Sequence, residues 1–385
     1  MAKKIMICFD GTCNHPSDAK QEKEWFGLLG DLEDNGITNI LKLHILFGGN
    51  LTNDPEAVAG QHSFYYSGVG TYGNNIQKIF NAGFSPNNMD VRRIIKMAAA
   101  DLNKAYESPK VDADGKAVEG TGDEIFIFGF SRGAAIARRF ASVIGDYIDF
   151  PDGHRPVRFL GVFDTVAAIG FPNLDDATKP QSDVVFEDHW VSPHVVEALH
   201  LVSADERRIA FMPTLMNKEE DKVTEIWFAG AHADVGGGFW FDGLSDVTLQ
   251  FMIKKLEKDL GVEMLSLDKV DYDQLQAKDC SYRIDRDDMQ IKPNIKGKSH
   301  QQDRFAPIAE MTLETRHVRV NIDDKASDEN PKLHQSVGNR IAKLIDYRPR
   351  ALKGINHDIV DDDGKVIRKD VHGVWDYIEP LEVVA

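Results

Sequence analysis

One serine of this sequence lies in a pattern that is typical of nucleophilic serines. Residues 129–133, GFSRG, fit Gly-x-Ser-x-Gly and stand between an apolar run that predicts a strand and an Ala/Arg-rich run that predicts an amphipathic helix. In such a sharp turn, side chains two residues before and after the serine would collide, which explains Gly129 and Gly133. The pattern predicts that Ser131 projects above the carboxyl edge of a sheet; an ordinary tight turn is the alternative.

A serine hydroxyl is a weak nucleophile near neutral pH, so it needs a base and an acid that orients this base. The next two candidates follow predicted strands: Asp164 comes after RFLGVF, and His232 comes after EIWFAGA. The chain order Ser, Asp, His is that of α/β-hydrolases, and all three residues would lie just beyond the carboxyl ends of strands. Structural turn roles are the alternatives for both. His334 is the rival base, although its position before a predicted helix favours a capping role.

An ester hydrolase also needs backbone N–H groups that bind the oxyanion. The helix predicted to start at Arg132 would direct free amides at the Ser131 site. Gly11 and Thr12, in the loop after the first predicted strand, are expected to supply a second donor. Asp10 and Asn14 would pin this loop through side-chain to backbone hydrogen bonds. A plain strand-to-helix turn is the alternative for the loop.

Other motifs that suggest different chemistry are incomplete. Asp234 lies two residues beyond His232, and these two possible ligands are too few for a metal site. Asp234 is instead expected to orient or cap the glycine turn that follows. FDGT after the first strand resembles phosphatases of the haloacid-dehalogenase type, but Cys8 stands where their nucleophilic aspartate would be. GVGTYG has the spacing of a dinucleotide fingerprint, yet Asp90 follows a loop rather than a second strand. We therefore expect neither a metal nor an organic cofactor.

Composition narrows the class of partner. The chain has 385 residues, with 42% hydrophobic and 28% charged residues, as in globular proteins that fold in water. A net charge of -17 repels phosphate backbones, so nucleic acid is not expected as a partner. The three cysteines show no CxxC spacing. Neither a signal peptide nor a membrane-spanning run is recognised, so the expected location is the cytoplasm without integral membrane association.

The elements that position these residues alternate between strands and helices, which predicts an α/β fold with a mostly parallel sheet and helices on both faces. The predicted strands are 5–9, 62–67, 124–128, 158–163 and 224–229. The predicted helices are 38–46, 90–106, 132–147, 194–209 and 245–260. Residues 1–385 are interpreted as a single domain, with insertions at 107–122, 172–192 and 268–304. A C-terminal elaboration, 345–385, is expected to contain a hairpin at 361–370.

Several stretches resemble, in order and spacing, one family of α/β-hydrolase domains that includes the type VI secretion lipase and phospholipase effectors. They are FDGTCN, YYSGVGT, FIFGFSRGAAIARRF, GVFDTVAAIG, WFAGAHADVGGGF and, more weakly, HQSVGNRI with YRPRAL. The resemblance implies a Ser-Asp-His esterase or phospholipase, carried over onto Ser131, Asp164 and His232. It also implies export by a secretion system that needs no signal peptide, and an immunity protein as a partner.

The motifs and the resemblance together predict a serine hydrolase that cleaves a lipid or phospholipid acyl ester through an acyl-enzyme. A non-lipid esterase, a thioesterase or an amidase would use the same three residues, so these alternatives stay open. The competing class is a catalytically silent binding module on the same fold, because a fold does not establish a function.

Overall fold

The computed structural model describes residues 2–11, 34–53, 60–67, 88–167, 190–276, 283–301 and 312–374. Within these ranges, nine strands form one sheet, and neighbouring strands are parallel except for one antiparallel pair at an edge. The predicted α/β class with a mostly parallel sheet is confirmed. Thr12, Asn14, the GVGTYG segment and most of the predicted 172–192 insertion lie outside the described residues.

The strands of this sheet have the following bounds: β1 Lys4–Phe9, β2 Gln61–Tyr66, β3 Glu124–Phe130, β4 Val157–Phe163, β5 Val195–Ser203, β6 Val223–Phe228, β9 Lys332–His334, β10 Asn356–Val360 and β11 Val366–His372. Their order in the sheet is β11-β10-β9-β6-β5-β4-β3-β1-β2, and β10 and β11 are the antiparallel pair. A separate small antiparallel pair is formed by β7 Asn321–Ile322 and β8 Lys325–Ala326. All five strands predicted from the sequence are present, with ends that shift by at most two residues.

The helices cover both faces of the sheet. Their bounds are α1 Asn39–Leu46, α2 Asn88–Ala105, α3 Arg132–Val143, α4 His232–Gly236, α5 Gly243–Leu260 and α6 Gln335–Lys343. Apolar residues of α2 and α3 pack against one face of the sheet, and those of α1 and α5 pack against the other face. Because side chains of a strand alternate between the two faces, the central strands are buried on both sides and read as continuous apolar runs.

One prediction of secondary structure is wrong: residues 194–209 do not form a helix. Residues Val195–Ser203 form β5, which lies between β4 and β6 in the middle of the sheet. Apolar residues on both faces of a central strand produce three- and four-residue spacings that resemble a helical pattern. The error matters for the site, because the residues after β5 lie at the same carboxyl edge as Ser131.

The C-terminal part extends the sheet. β10 and β11 form the predicted hairpin, and Asp361 N–H donates to the Lys365 carbonyl, 2.9 Å away, across its turn. Residues 107–122 are largely exposed, as expected for a surface insertion. None of the helices in the part of the chain that the structure describes combines the length and the apolar character of a transmembrane segment.

Candidate active site

Ser131 lies in the turn between β3 and α3, with φ 57° and ψ -124°. Only glycine fits at the positions two residues before and two residues after it. A Cβ on Gly129 would lie 2.5 Å from the Gly133 carbonyl oxygen, and a Cβ on Gly133 would lie 2.3 Å from the carbonyl oxygens of both Phe9 and Asp10. A positive φ at a serine costs energy and is found mostly where function requires it. The turn has the backbone conformation expected for a nucleophilic serine.

The backbone of Ser131 is held by the end of β4 and by the turn that follows it. Its N–H donates to the Phe163 carbonyl, and its own carbonyl accepts from Val166 N–H, both at 3.1 Å. The side chain makes no capping hydrogen bond to α3. Since the first N–H groups of a helix have no acceptor inside the helix, α3 directs the amides of Arg132 and its neighbours at this turn.

Asp164 and His232 form a hydrogen-bonded pair. The Nδ1 atom of His232 lies 2.5 Å from Asp164 Oδ2, and both side chains are buried. Asp164 follows β4 with φ 38°. Burial alone would raise the pKa of Asp164, but the charge of Arg316 and the hydrogen bond from His232 outweigh it and hold this pKa well below its usual value. Asp164 is therefore ionised, and the proton of the imidazole lies on Nδ1.

His232 is the first residue of α4, and its ring lies between two aromatic rings. The Phe130 ring centroid is 4.6 Å away, and the Phe211 ring stands edge-on with its centroid at 4.9 Å. Burial lowers the pKa of His232 below its usual value, although the hydrogen bond to Asp164 opposes this shift. The buried Nε2 atom has no hydrogen-bond partner among the described residues. A neutral imidazole with an unused Nε2 lone pair has the form of a general base.

Arg316 is a residue of this site that the sequence analysis missed. Its Nη1 donates to Asp164 Oδ1 at 2.6 Å, and its Nη2 donates to Asp164 Oδ2 at 2.9 Å. Both side chains of this ion pair are fully buried. Arg316 is 152 positions from its partner in the chain, so no local pattern indicates the contact.

Glu206 and Arg208, just after β5, were also missed. Glu206 accepts from the backbone N–H of His232 at 3.2 Å and from the Nε and Nη2 atoms of Arg208 at 2.9 and 2.8 Å. The Arg208 guanidinium lies 3.6 Å from the centre of the Phe211 ring, which contacts His232. Burial favours a higher pKa for Glu206, but the Arg208 contact outweighs it and lowers this pKa to about 2. Because the sequence predicted a helix at 194–209, it did not place Glu206 and Arg208 at the end of a strand.

The loop after β1 is pinned as expected, but by an unexpected set of partners. Asp10 is buried, and its carboxylate accepts from the Gly11 N–H, the Thr38 hydroxyl and the Tyr65 hydroxyl, each at 2.6 Å. Gly133 packs on the Asp10 carbonyl, so this loop lies beside the Ser131 turn. The Gly11 amide has the Asp10 carboxylate as its acceptor, and its predicted role at the oxyanion stays a prediction, as does that of Thr12.

Asp234 supports the turn at the start of α4. It accepts from the N–H of Ala231 at 2.8 Å, and its Oδ1 lies 2.5 Å from Nδ1 of His300. The other ring nitrogen of His300 lies 2.9 Å from Asp34. Burial would lower the pKa of His300, but these two carboxylates outweigh it and raise this pKa. Asp234 therefore orders the segment that carries His232, whereas the sequence predicted a role in the glycine turn that follows it.

His334 lies outside this cluster and caps α6, as expected. Its Nδ1 accepts from the backbone N–H of Ser336, and its Nε2 lies 3.0 Å from Asp362. Its ring stacks on Phe228, with centroids 4.6 Å apart. Both ring nitrogens are thus in use. Among the described residues, no group of three or more His, Cys, Asp or Glu side chains is arranged to hold a metal ion.

A comparison with models of known protein families finds a match over most of the chain. The model of one family, described as the catalytic domain of Tle1-like phospholipase effectors of the type VI secretion system (T6SS), matches residues 3–149 and 147–255. No curated protein matches the sequence significantly.

Two solved structures are similar in part. An uncharacterized protein from Pseudomonas aeruginosa is 20% identical, with a TM-score of 0.44 over 70% of this chain and 48% of its own. A structure of the Tle1 effector bound to the VgrG spike is 24% identical, with a TM-score of 0.35 over 62% of this chain and 51% of its own. The chain thus spans about half the length of each.

Proposed function

Because the chain belongs to the family of Tle1-like phospholipase-effector catalytic domains, we propose that it hydrolyses a lipid carboxylic ester. In this proposal Ser131 is the nucleophile, His232 is the base, and Asp164 is the carboxylate that orients the base. These three residues, here called the candidate triad, all lie within the matched ranges. The observation that carries the proposal is the Asp164–His232 pair beside the strained Ser131 turn, with Nδ1 tied to an ionised carboxylate and Nε2 without a partner among the described residues.

In this mechanism the Ser131 hydroxyl attacks the acyl carbonyl carbon, and His232 Nε2 takes the hydroxyl proton. The tetrahedral intermediate collapses as the bond to the leaving alcohol breaks, and the imidazolium returns the proton to that alcohol. Water then hydrolyses the acyl-serine by the same proton transfers. Asp164 stays ionised throughout and stabilises the imidazolium that forms in each step.

The oxyanion is proposed to bind at the N-terminal amides of α3, with the Arg132 N–H as the principal donor. The loop with Gly11 and Thr12 is the proposed second source. Since the Gly11 N–H donates to Asp10 in this structure, it serves the oxyanion only by sharing or leaving that acceptor. The principal donor therefore comes from the helix that the Ser131 turn begins.

The family supports a lipid as the substrate and the secretion system as the route of delivery. We propose accordingly that the protein is a secreted effector, which binds a component of the secretion machinery and an immunity protein in the producing cell. Thioester and amide substrates use the same chemistry and serve as comparison substrates in the assay below.

The test uses purified protein and vesicles of phosphatidylglycerol and phosphatidylethanolamine, with released fatty acid measured by mass spectrometry and a fluorophosphonate probe as a second readout. Ser131→Ala is expected to lose at least roughly 10³-fold in turnover and to resist labelling, because it removes the nucleophile.

Ser142→Ala is the matched control. Ser142 lies in α3, the helix that follows the Ser131 turn, and its hydroxyl donates to the Arg139 carbonyl at 2.8 Å, away from the candidate triad. This variant should keep wild-type turnover and labelling. Folded wild-type protein that neither labels nor releases product from lipid, thioester or amide would favour the silent binding module, and an active Ser131→Ala would refute the assignment.

A further inference from the structure

The Asp164 carboxylate accepts more hydrogen bonds than an orienting acid needs. Among the described residues, four donors reach it: Nδ1 of His232, the backbone N–H of Ser203 at 2.9 Å, and both Nη atoms of Arg316. Two carboxylate oxygens offer about four acceptor sites, so this set fills them. His232 therefore shares Oδ2 with a fully buried cation.

Arg316 holds more than this carboxylate. Its Nη1 also donates to the Ser203 carbonyl at 2.7 Å, and its Nη2 donates to the Phe211 carbonyl. One planar group thus joins the turn after β4, the end of β5 and the residue whose ring contacts His232. A guanidinium is suited to this task because its donors lie in a fixed fork.

We propose that Arg316 is the positioning residue of the candidate triad: its fork fixes the Asp164 oxygen that faces His232, and its charge offsets the charge of that carboxylate. The inference rests on the proposed function and adds to it a fourth residue that never touches the substrate. Without Arg316, Asp164 would act on the imidazole with its full charge and in a less restricted orientation.

The charge effect has a defined sign. His232 is faced by Asp164 after β4, by Glu206 and Arg208 after β5, and by Arg316 behind Asp164. The two carboxylates favour the imidazolium, and the two guanidiniums oppose it. Catalysis needs the neutral imidazole, so the rate is lost as the pH falls through the pKa of His232, and Arg316 moves this loss to lower pH.

The experiment measures the rate constant of fluorophosphonate labelling of the folded protein between pH 4 and pH 9. The wild type should show an acid midpoint below about 6.5, the unperturbed value for histidine. Arg316→Met removes the charge and the fork; its midpoint should rise by about one to three pH units, and its plateau rate should fall by about 10²-fold. Arg316→Lys keeps the charge without the fork, so only its plateau rate should fall.

The matched control is Arg319→Met, because Arg319 lies three positions away and donates to Asn321 rather than to Asp164. It should keep the wild-type midpoint and rate. Labelling of Arg316→Met with the wild-type midpoint and rate overturns the inference while leaving the proposed function intact. If Arg316→Met does not fold, a wild-type plateau rate for Arg316→Lys overturns the positioning role. An Arg316→Met midpoint that is no higher than the wild-type midpoint overturns the charge role. Folded wild type that does not label refutes the proposed function instead.

Discussion

Asp164→Asn should destabilise the fold as well as stop catalysis, because it leaves the buried Arg316 guanidinium without its negatively charged partner. Asp164 and Arg316 both have 0% exposed side chains, so solvent does not screen their interaction. Removing one partner of a buried ion pair costs about 3–5 kcal/mol, since the remaining charge stays buried without compensation. The asparagine NH₂ group would in addition face N–H donors of Arg316, His232 or Ser203, whichever way the amide is turned.

A double variant separates the effect of the unpaired Arg316 charge on stability from the loss of catalysis. Asp164→Asn combined with Arg316→Met removes the stranded cation, and replacing a buried pair by apolar groups is often neutral or better. We expect the double variant to regain at least about 2 kcal/mol of unfolding free energy relative to Asp164→Asn. Both variants should stay inactive, with losses of about 10⁴-fold, because neither holds His232 in the required tautomer.

Guanidinium chloride unfolding at pH 7, followed by circular dichroism, measures these differences. Glu329→Gln provides the control, because Glu329 pairs with Lys218 at 2.8 Å on the surface, where their side chains are 44% and 35% exposed. Such exposed pairs contribute about 0–1 kcal/mol. If Asp164→Asn is as stable as the wild type, or if the double variant is no more stable than Asp164→Asn, the buried-pair reasoning is wrong.

Two further comparisons test the site. His232→Ala should lose fluorophosphonate labelling nearly as completely as Ser131→Ala, whereas His334→Ala should keep a substantial fraction of it and lose only about 1 kcal/mol through its cap; the reverse result would contradict the choice of base. Gly133→Ala would place a Cβ 2.3 Å from two carbonyl oxygens at the end of β1, so we expect a loss of about 1–3 kcal/mol and about 10²-fold slower labelling. Gly145→Ala, whose Cβ would lie 3.1 Å from the end of a histidine side chain, should leave stability and labelling near wild type, and equal effects of the two changes would count against the close approach.

Much of the site could be predicted because its parts are local in the chain. The Ser131 turn and Asp164 follow buried strands directly, and His232 follows one after three residues; buried strands are visible as short apolar runs that end in Gly or Asp. Parallel strands bring their carboxyl ends to one edge of the sheet. Three local patterns therefore predict three residues at one edge of the sheet, without any knowledge of the contacts between their side chains.

The strand β5 shows where this reasoning fails. Its apolar residues face both sides of the sheet, so the alternation that separates a strand from a helix is lost. Once Val195–Ser203 is interpreted as a helix, Glu206 and Arg208 no longer follow a strand, and the rule about carboxyl ends cannot find them. The length of the run does not decide between the two elements, because residues 195–204 span ten positions, longer than a typical strand and as long as a short helix.

Arg316 was missed for a different reason, which concerns charge rather than pattern. A carboxylate buried at a strand end needs compensation, so the prediction of Asp164 as a buried acid already requires donors or a cation beside it. That requirement does not choose among the 45 lysines and arginines of the chain. The choice depends on how the segment around residue 316 passes behind β4 and β5, and a single sequence carries no local signal for such a path. Electrostatic reasoning thus predicts that a partner exists, and only the fold identifies it.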